Sequence, residues 1–295
     1  MENSDTTEPP RAVPRRWPAV LGAVLTLLMV AGLARELLGD GLDGLTRSVP
    51  SSPLFHLFFA LHYLSLPLAD YLIFRHLWGI PRAGLVATTK KRIANEVLFS
   101  YSGEAYFYAW ARENATTAAA PFGAVKDVAI LSAIAGNAMT LATMALSVPA
   151  GQALLPESLL RTFAGSAAVV VAMSLPFLLF SRRVFSLPRA ELWWIFRAHL
   201  IRQVAGTALI GLAWASAMPD VPVATWLFLA AGRLLVSRLP LLPNKDLLFA
   251  NLAVVVIGPG NALSNLMAFT GALFLLTHLA LLVAFGVHRL LVRRR

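Results

Sequence analysis

The feature of this chain that most constrains its fold is a pair of charge-rich segments set between long apolar runs. Apolar stretches cover most of the 295 residues, yet Arg92 to Arg112 and Arg233 to Asp246 place Arg, Glu, Lys and Asp among residues suited to lipid. A charge in a hydrocarbon core is costly, so it usually faces a cavity or a charged partner. We therefore look for function in these two segments.

Composition points to an integral membrane protein. Hydrophobic residues make up 58% of the chain and charged residues only 14%, whereas a soluble domain is about 45–50% apolar. The polar, proline-rich residues 1–16 are expected to form a disordered cytoplasmic tail. Residues 17–292 are expected to form a single transmembrane domain, since a spanning helix needs about 20 apolar residues.

Charge and cysteine usage exclude several classes of function. The net charge of +10 comes mostly from Lys and Arg that flank apolar segments, so we expect orientation signals and no nucleic-acid surface. With no cysteine, the chain has no disulfide framework, thiolate metal site or cysteine nucleophile. No nucleotide-binding fingerprint, Walker motif or nucleophile elbow is present, and we expect no cofactor and no bound metal.

Apolar windows predict about six transmembrane helices and their orientation. The predicted spans are 17–38, 54–77, 127–149, 160–180, 199–218 and 264–288. Basic residues concentrate in 75–92, 182–202 and 289–295, and are few in 39–53 and 149–160. The positive-inside rule then places both termini in the cytoplasm. We expect an integral protein of a bacterial cytoplasmic (inner) membrane.

The two remaining apolar stretches are predicted to be re-entrant. The positions of the neighbouring spans require residues 93–112 to enter and leave the membrane on the cytoplasmic side, and 223–258 on the outer side. Pro240 and Pro243 support a turn in the second stretch, because proline ends helices. The predicted fold is an all-α polytopic membrane protein with two opposed re-entrant helical hairpins and a possible inverted repeat, as in many transporters.

The first predicted hairpin contains Arg92, Glu96, Glu104 and Arg112 as candidate binding residues. Glu96 and Glu104 are eight positions apart, as are Glu104 and Arg112, so each pair would share one face of a continuous helix. Glu104 and Arg112 either bind or gate a charged head group, or pair with each other and hold the hairpin together. The spacing does not distinguish the two.

The second predicted hairpin offers Arg233, Arg238, Asn244, Lys245 and Asp246 within a short segment. Arginine supplies a planar fork of donors suited to phosphate, and lysine supplies a mobile point charge. A lipid phosphate is therefore the expected ligand. In the alternative, Arg233 and Arg238 extend to the membrane interface and Lys245 pairs with Asp246.

The second predicted span contains a possible proton relay. His62 and Asp70 lie eight positions apart on one face, and with Glu96 or Glu104 they would form a polar path. Their spacing matches no metal-binding motif, and a histidine that packs through a hydrogen bond explains His62 as well. Asp70 needs a cationic partner in the membrane, for which we expect Arg75 or an arginine of a hairpin.

Two short motifs resemble those of a known family. One is Arg92 followed by Ser102-Gly103-Glu104-Ala105; the other is Arg238-Leu-Pro240-Leu-Leu-Pro243 followed by Asn244-Lys-Asp246. Over about residues 17–290 the chain resembles the flippase-like transmembrane domain of lysylphosphatidylglycerol synthases and their stand-alone relatives. That family usually has a Pro-Gly-Gly run and a glutamate where this chain has Pro243-Asn-Lys-Asp246. The resemblance implies movement of lipids or lipid-linked sugars between leaflets.

The sequence therefore predicts a transporter or flippase for an anionic lipid or lipid-linked sugar. Asp70, Glu96, Glu104 and Asp246 are the available proton carriers if transport is ion-coupled. One alternative is an intramembrane enzyme acting on a lipid phosphate or glycolipid, with Glu104 or Asp246 as general base and the arginines as a phosphate clamp. Another is a non-catalytic partner of a lipid-modifying enzyme. Catalysis is the less expected of these functions.

Overall fold

The structure is a computed structural model that describes residues 17–38, 49–98, 101–114, 121–151, 161, 165–172, 175, 184–239 and 242–293. Its helices are α1 (Trp17–Leu37), α2 (Pro53–Trp78), α3 (Ala83–Val97), α4 (Ser102–Asn114), α5 (Pro121–Gly151), α6 (Arg189–Ala217), α7 (Val223–Ser237), α8 (Lys245–Ile257) and α9 (Ala262–Arg293). Residues 165–172 are also helical, and the described ranges contain no strand. The predicted all-α class is confirmed.

Four helices are long and apolar enough to cross a bilayer. They lie in α2, α5, α6 and α9, and their apolar segments run for 26 to 29 residues. At about 1.5 Å per residue each exceeds the hydrocarbon thickness of about 30 Å, which suits an integral membrane protein. The predicted span 17–38 coincides with α1. The predicted span 160–180 and tail 1–16 fall largely or wholly outside the described residues.

Two predicted boundaries are wrong for the same physical reason. α6 begins at Arg189, ten residues before the predicted span 199–218, and α3 begins at Ala83, inside the predicted basic loop 75–92. The positive-inside rule treats the positively charged side chains in these stretches as part of a cytoplasmic loop. Several of them instead belong to helices and contact polar partners inside the protein, among them Lys91 with Asp70 and Arg202 with Ser132.

α3 and α4 form the first hairpin. The turn ends at Tyr101, whose φ is 73°, and α4 then folds back so that the Ser102 hydroxyl donates to the carbonyl oxygen of Ala94 at 2.7 Å. The amide of Gly103 donates to Oδ1 of Asn95 at 2.7 Å. A Cβ atom at Gly103 would overlap the carbonyl oxygen of Lys91. Glycine therefore allows the two arms to touch.

α7 and α8 form the second hairpin, with arms of the same lengths as the first, 15 and 13 residues. Asn244 precedes α8 with φ of 48°, as Tyr101 precedes α4. Nζ of Lys245 donates to the carbonyl oxygen of Ser237 at 3.1 Å, which ties the start of α8 to the end of α7. Pro240, one of the two predicted turn prolines, lies outside the described residues.

The helix contacts repeat in a two-fold pattern. α2 packs mainly on α6; α3 contacts α2 as α7 contacts α6, and α4 contacts α5 as α8 contacts α9. In addition, α3 touches α9 while α7 packs on α5, so each hairpin also contacts a long helix of the other half. Residues 53–151 therefore correspond to 189–293 in their contacts. The pattern is that of an internal repeat, although no sequence repeat is visible.

Aromatic packing fixes the helices on both sides of the site. Phe59 of α2 and Phe274 of α9 have ring centroids 4.7 Å apart, and Trp214 of α6 is fully buried in the same cluster. A second cluster joins Phe74 of α2 to Phe107 of α4 at 4.4 Å. The polar side chains of α2 and both hairpins lie between these clusters.

Candidate functional site

A cavity of about 840 Å³ lies where the two hairpins meet α2, α5 and α6. Its lining includes four carboxylates and seven cationic side chains, namely Asp70, Glu96, Glu104 and Asp246 with Lys91, Arg92, Lys126, Arg202, Arg233, Arg238 and Lys245. The excess of positive charge favours an anionic ligand. The volume falls in the usual range of about 300–1,000 Å³ for small-molecule sites.

Lys91 links the first hairpin to α2. Its Nζ lies 2.6 Å from Oδ2 of Asp70 and 3.3 Å from Oε1 of Glu104, and the Lys91 and Asp70 side chains are both buried. Lys91 is therefore the partner of Asp70, and the expected Arg75 instead donates to the Tyr71 hydroxyl. Lys91, and not the expected Arg112, is also the cationic partner of Glu104.

Arg233 holds the second hairpin to α2. Its Nη2 lies 2.7 Å from Oδ1 of Asp246 and 3.0 Å from Nε2 of His62. Nδ1 of His62 lies 2.7 Å from the carbonyl oxygen of Gly206, so we assign the imidazole proton to Nδ1. Nε2 then accepts from Arg233. Asp246 therefore pairs with Arg233 and not, as the alternative held, with Lys245.

The two hairpins contact each other directly at Glu96. The amide of Asn244 donates to the Glu96 carbonyl oxygen at 2.8 Å, and the amide of Lys245 donates to its carboxylate. The Asn244 side chain donates to Thr26 of α1 and is buried, so Asn244 supports the turn without lining the cavity.

Three arginines of the lining form no ion pair with a carboxylate of the described residues. The guanidinium of Arg92 lies 4.2 Å from the Tyr63 ring centroid and donates to the Tyr63 carbonyl. Nη2 of Arg202 lies 3.3 Å from Oγ of Ser132, and Nη2 of Arg238 lies 2.8 Å from Oγ of Ser237. Arg92 also attracts Glu96 electrostatically and Arg202 attracts Asp70, whereas no carboxylate of the described residues acts on Arg238. A guanidinium without a close carboxylate in a buried site retains strong affinity for an anion.

Gly136 of α5 leaves space for the side chains of Arg238 and Gln203. A Cβ atom there would overlap Nη1 of Arg238 and lie 2.9 Å from Nε2 of Gln203. Ser132, the partner of Arg202, is one helical turn away on α5. Arg202 is close enough to repel Arg238 electrostatically. We call Ser132, Arg202, Gln203 and Arg238 the donor patch.

Most of the predicted binding residues are brought together. The cavity lining contains Arg92, Glu96, Glu104, Arg233, Arg238, Lys245 and Asp246 and the predicted relay residues His62 and Asp70. Arg112 does not line it; its guanidinium lies on the exposed side of α4, 6.0 Å from the Tyr108 ring. The described residues contain no group of three or more His, Asp or Glu side chains arranged for a metal ion.

The lining reaches the surface at the first hairpin, the start of α5 and the turn after α7. Three of its large apolar residues are exposed there: Tyr101 (60%), Phe122 (63%) and Leu239 (41%). The ring of Phe122 packs edge-on against Tyr108 at 5.7 Å. An apolar opening next to a polar cavity suits a ligand with a charged head and an apolar tail.

Sequence reasoning missed Lys91, Arg202, Gln203 and Gly136. Lys91 belongs to a run of three cations, Lys90-Lys91-Arg92, which the orientation rule accounts for without a buried partner. Arg202 lies where the basic stretch 182–202 overlaps the predicted span 199–218, and the orientation rule accounts for its charge without a buried role. The role of Gly136 follows only from the packing of α5 against α6 and Arg238.

Comparison of the chain with protein-family models found no match, and comparisons with curated proteins and with solved structures found none that is significant.

Proposed function

We propose that this protein is a transporter or flippase that moves an anionic lipid or a lipid-linked sugar between the leaflets of a bacterial inner membrane. The observation that carries the proposal is the cavity between the hairpins, where Arg92, Arg202 and Arg238 form no close ion pair with a carboxylate of the described residues. Buried cations without a close counter-ion are costly. An anionic ligand compensates that cost.

The proposed topology has the two hairpins re-entering from opposite faces of the membrane, with both termini cytoplasmic. A 15-residue arm such as α3 or α7 extends about 22 Å, less than the hydrocarbon thickness of about 30 Å. The two-fold pattern of helix contacts supports an inverted repeat. Irregular backbone at the hairpin tips is acceptable at membrane depth because it lines a polar cavity.

Lipid would occupy the site with its phosphate inside and its chains outside. The guanidinium groups of the donor patch supply planar, bidentate donors for phosphate oxygens. Tyr101, Phe122 and Leu239 form an apolar opening through which acyl or prenyl chains can remain in the bilayer. The motifs that resemble flippase-like domains lie in the two hairpins that border this cavity.

A second candidate function, an intramembrane enzyme, is favoured by one observation. Glu104 lines the cavity, and its Oε2 is buried with no hydrogen-bond partner among the described residues, as a general base awaiting a substrate proton would be. If the protein is an enzyme, it forms product from a lipid phosphate or glycolipid even in detergent. The transporter acts only across a closed bilayer, so the two functions are separable.

The direct test is lipid exchange by purified protein in sealed vesicles. Fluorescent phosphatidylglycerol, phosphatidic acid and a polyprenyl phosphate are tested separately, with outer-leaflet fluorescence removed by an impermeant reductant. We expect at least one of these anionic lipids to become accessible faster than in protein-free vesicles, without chemical change. Exchange no faster than in protein-free vesicles for all three would reject the function, and chemical conversion in detergent would favour the enzyme.

A further inference from the structure

The carboxylates around the cavity lie mainly on one wall, which also carries Lys91 and Arg92. The carboxylates Asp70, Glu96 and Glu104 come from α2, α3 and α4, whereas no carboxylate of α5, α6 or α7 lines the cavity. The fourth lining carboxylate, Asp246, is in α8 and is paired with Arg233. A site for phosphate alone needs only the cations. The acidic wall therefore needs its own explanation.

Glu104 is the carboxylate of the acidic wall with a free buried acceptor. Oε1 of Glu104 binds Lys91, but Oε2 is buried and has no hydrogen-bond partner in the part of the chain that the structure describes. Asp70 is held by Lys91 at 2.6 Å, and Glu96 accepts from the Lys245 amide. A buried acceptor without a donor costs free energy that a ligand donor recovers. Oε2 of Glu104 is therefore a place for a hydrogen-bond donor.

The opposite wall has the complementary excess of donors. Nε of Arg202 is buried without a hydrogen-bond partner, and the Arg238 guanidinium has only uncharged oxygen partners. Nε2 of Gln203 and Nη1 of Arg238 both lie next to Gly136. The donor patch and Glu104 line the same cavity of about 840 Å³, which is far larger than a phosphate group requires.

We propose that the ligand head group carries two recognised parts: a phosphate bound by the donor patch, and a hydroxyl or ammonium group that donates to Oε2 of Glu104. This inference rests on the proposed function and specifies the substrate class of the same site. A head group with both parts gives acceptors to Arg202 and Arg238 and a donor to Glu104. A phosphate monoester without a further polar group leaves Glu104 without its donor.

Three soluble phosphates test the proposal on purified full-length protein in detergent: ethyl phosphate, glycerol 1-phosphate and phosphoethanolamine. Ethyl phosphate has the phosphate alone, while the other two add hydroxyl groups or an ammonium group. Affinity is measured by calorimetry. We expect the preferred two-part ligand to bind about five- to tenfold more tightly than ethyl phosphate, the effect of one added charge-assisted hydrogen bond. The preferred ligand identifies the donor as hydroxyl or ammonium.

Two variants of α4 assign the preference to Glu104. In Glu104→Met the side chain keeps a similar length but has no acceptor, and Lys91 keeps its bond to Asp70. We expect this variant to bind all three ligands with similar affinity, close to that of wild-type protein for ethyl phosphate. Glu113→Met is the matched control, because Glu113 lies exposed on the same helix and does not line the cavity. It should retain the preference, and melting temperatures of both variants verify folding.

Each remaining outcome contradicts a distinct part of the account. Equal affinity for the three phosphates in wild-type protein, or a preference that survives Glu104→Met, would reject the second recognised group. No measurable binding of any of the three would reject the phosphate subsite. Lipid exchange in vesicles is scored separately: exchange without a preference leaves the proposed function standing, and a preference without exchange leaves a binding site but no flippase.

Discussion

The amide of Asn244 donates a 2.8 Å hydrogen bond to the carbonyl oxygen of Glu96, and this bond joins the tips of the two hairpins. Asn244 immediately precedes α8, and Glu96 lies in the last turn of α3. The cavity lies beside this contact, and Glu96, Lys245 and Asp246 all line it. A movement of either hairpin therefore acts on the other and on the cavity.

Lys91→Met should destabilise the protein by about 3–5 kcal/mol, because it leaves the buried Asp70 without its cation. The free energy of unfolding in detergent measures the effect. Asp70→Asn combined with Lys91→Met should recover part of the loss, since the buried charge of Asp70 is removed and only the less buried Glu104 then lacks its cation. Lys90→Met is the neighbouring control, because Lys90 has a cation–π contact with Phe285 at 5.1 Å but forms no ion pair with the described residues. Equal losses for the two single variants would contradict the assigned pair.

Gly136→Ala should displace Arg238, because the added Cβ overlaps its Nη1. We expect lipid exchange to fall at least about tenfold, the effect of about 1.4 kcal/mol, with all charges retained. Gly211→Ala is the matched control, since nothing lies within 4 Å of a Cβ at Gly211 and alanine favours helix there. The account requires the first variant to bind ethyl phosphate more weakly and the second to behave as wild type. Normal binding by Gly136→Ala would mean that the position of Arg238 is unimportant.

The proposed topology predicts opposite accessibility for two exposed positions. Asp220 lies between α6 and α7, and Ser186 precedes α6. The chain has no cysteine of its own, so single-cysteine variants are read without background. In intact cells an impermeant thiol reagent should label Asp220→Cys and leave Ser186→Cys unlabelled. Labelling of Ser186→Cys alone would reverse the orientation.

Long apolar segments were predictable from the sequence, and so were most of the charged residues around the cavity. The predicted span 54–77 differs from α2 by one residue at each end, because a run of that length is long enough to cross the hydrocarbon core. Within the predicted re-entrant stretch 93–112, α4 begins at Ser102. The charged residues of both hairpins were singled out because charges in apolar surroundings are rare.

The pairings were not predictable, since they depend on how separate helices pack. Nothing in the sequence distinguishes Lys91 from Lys90 until α3 is placed against α2, where one of them reaches Asp70. The Glu104–Arg112 spacing suggested a pair that α4 does not form, because Lys91 is nearer and Arg112 points to the surface. The two-fold pattern appears in the contacts between helices and is not visible in residue identities.

Arg238 tests the central claim most directly. Its guanidinium lies in the donor patch above Gly136 and has no carboxylate partner among the described residues. Arg238→Lys keeps the charge and loses the planar fork, whereas Arg238→Ala loses both. Arg189, exposed at the start of α6 and outside the lining, provides Arg189→Ala as a control.

The decisive measurement is the rate of anionic lipid exchange in sealed vesicles, taken together with the melting temperature of each variant in detergent. The account predicts that Arg238→Ala and Arg238→Lys both lose exchange while their melting temperatures stay near that of wild type, and that Arg189→Ala exchanges normally. Normal exchange by Arg238→Ala, or a loss of exchange that only accompanies unfolding, would show that Arg238 is a structural residue and would contradict the phosphate site.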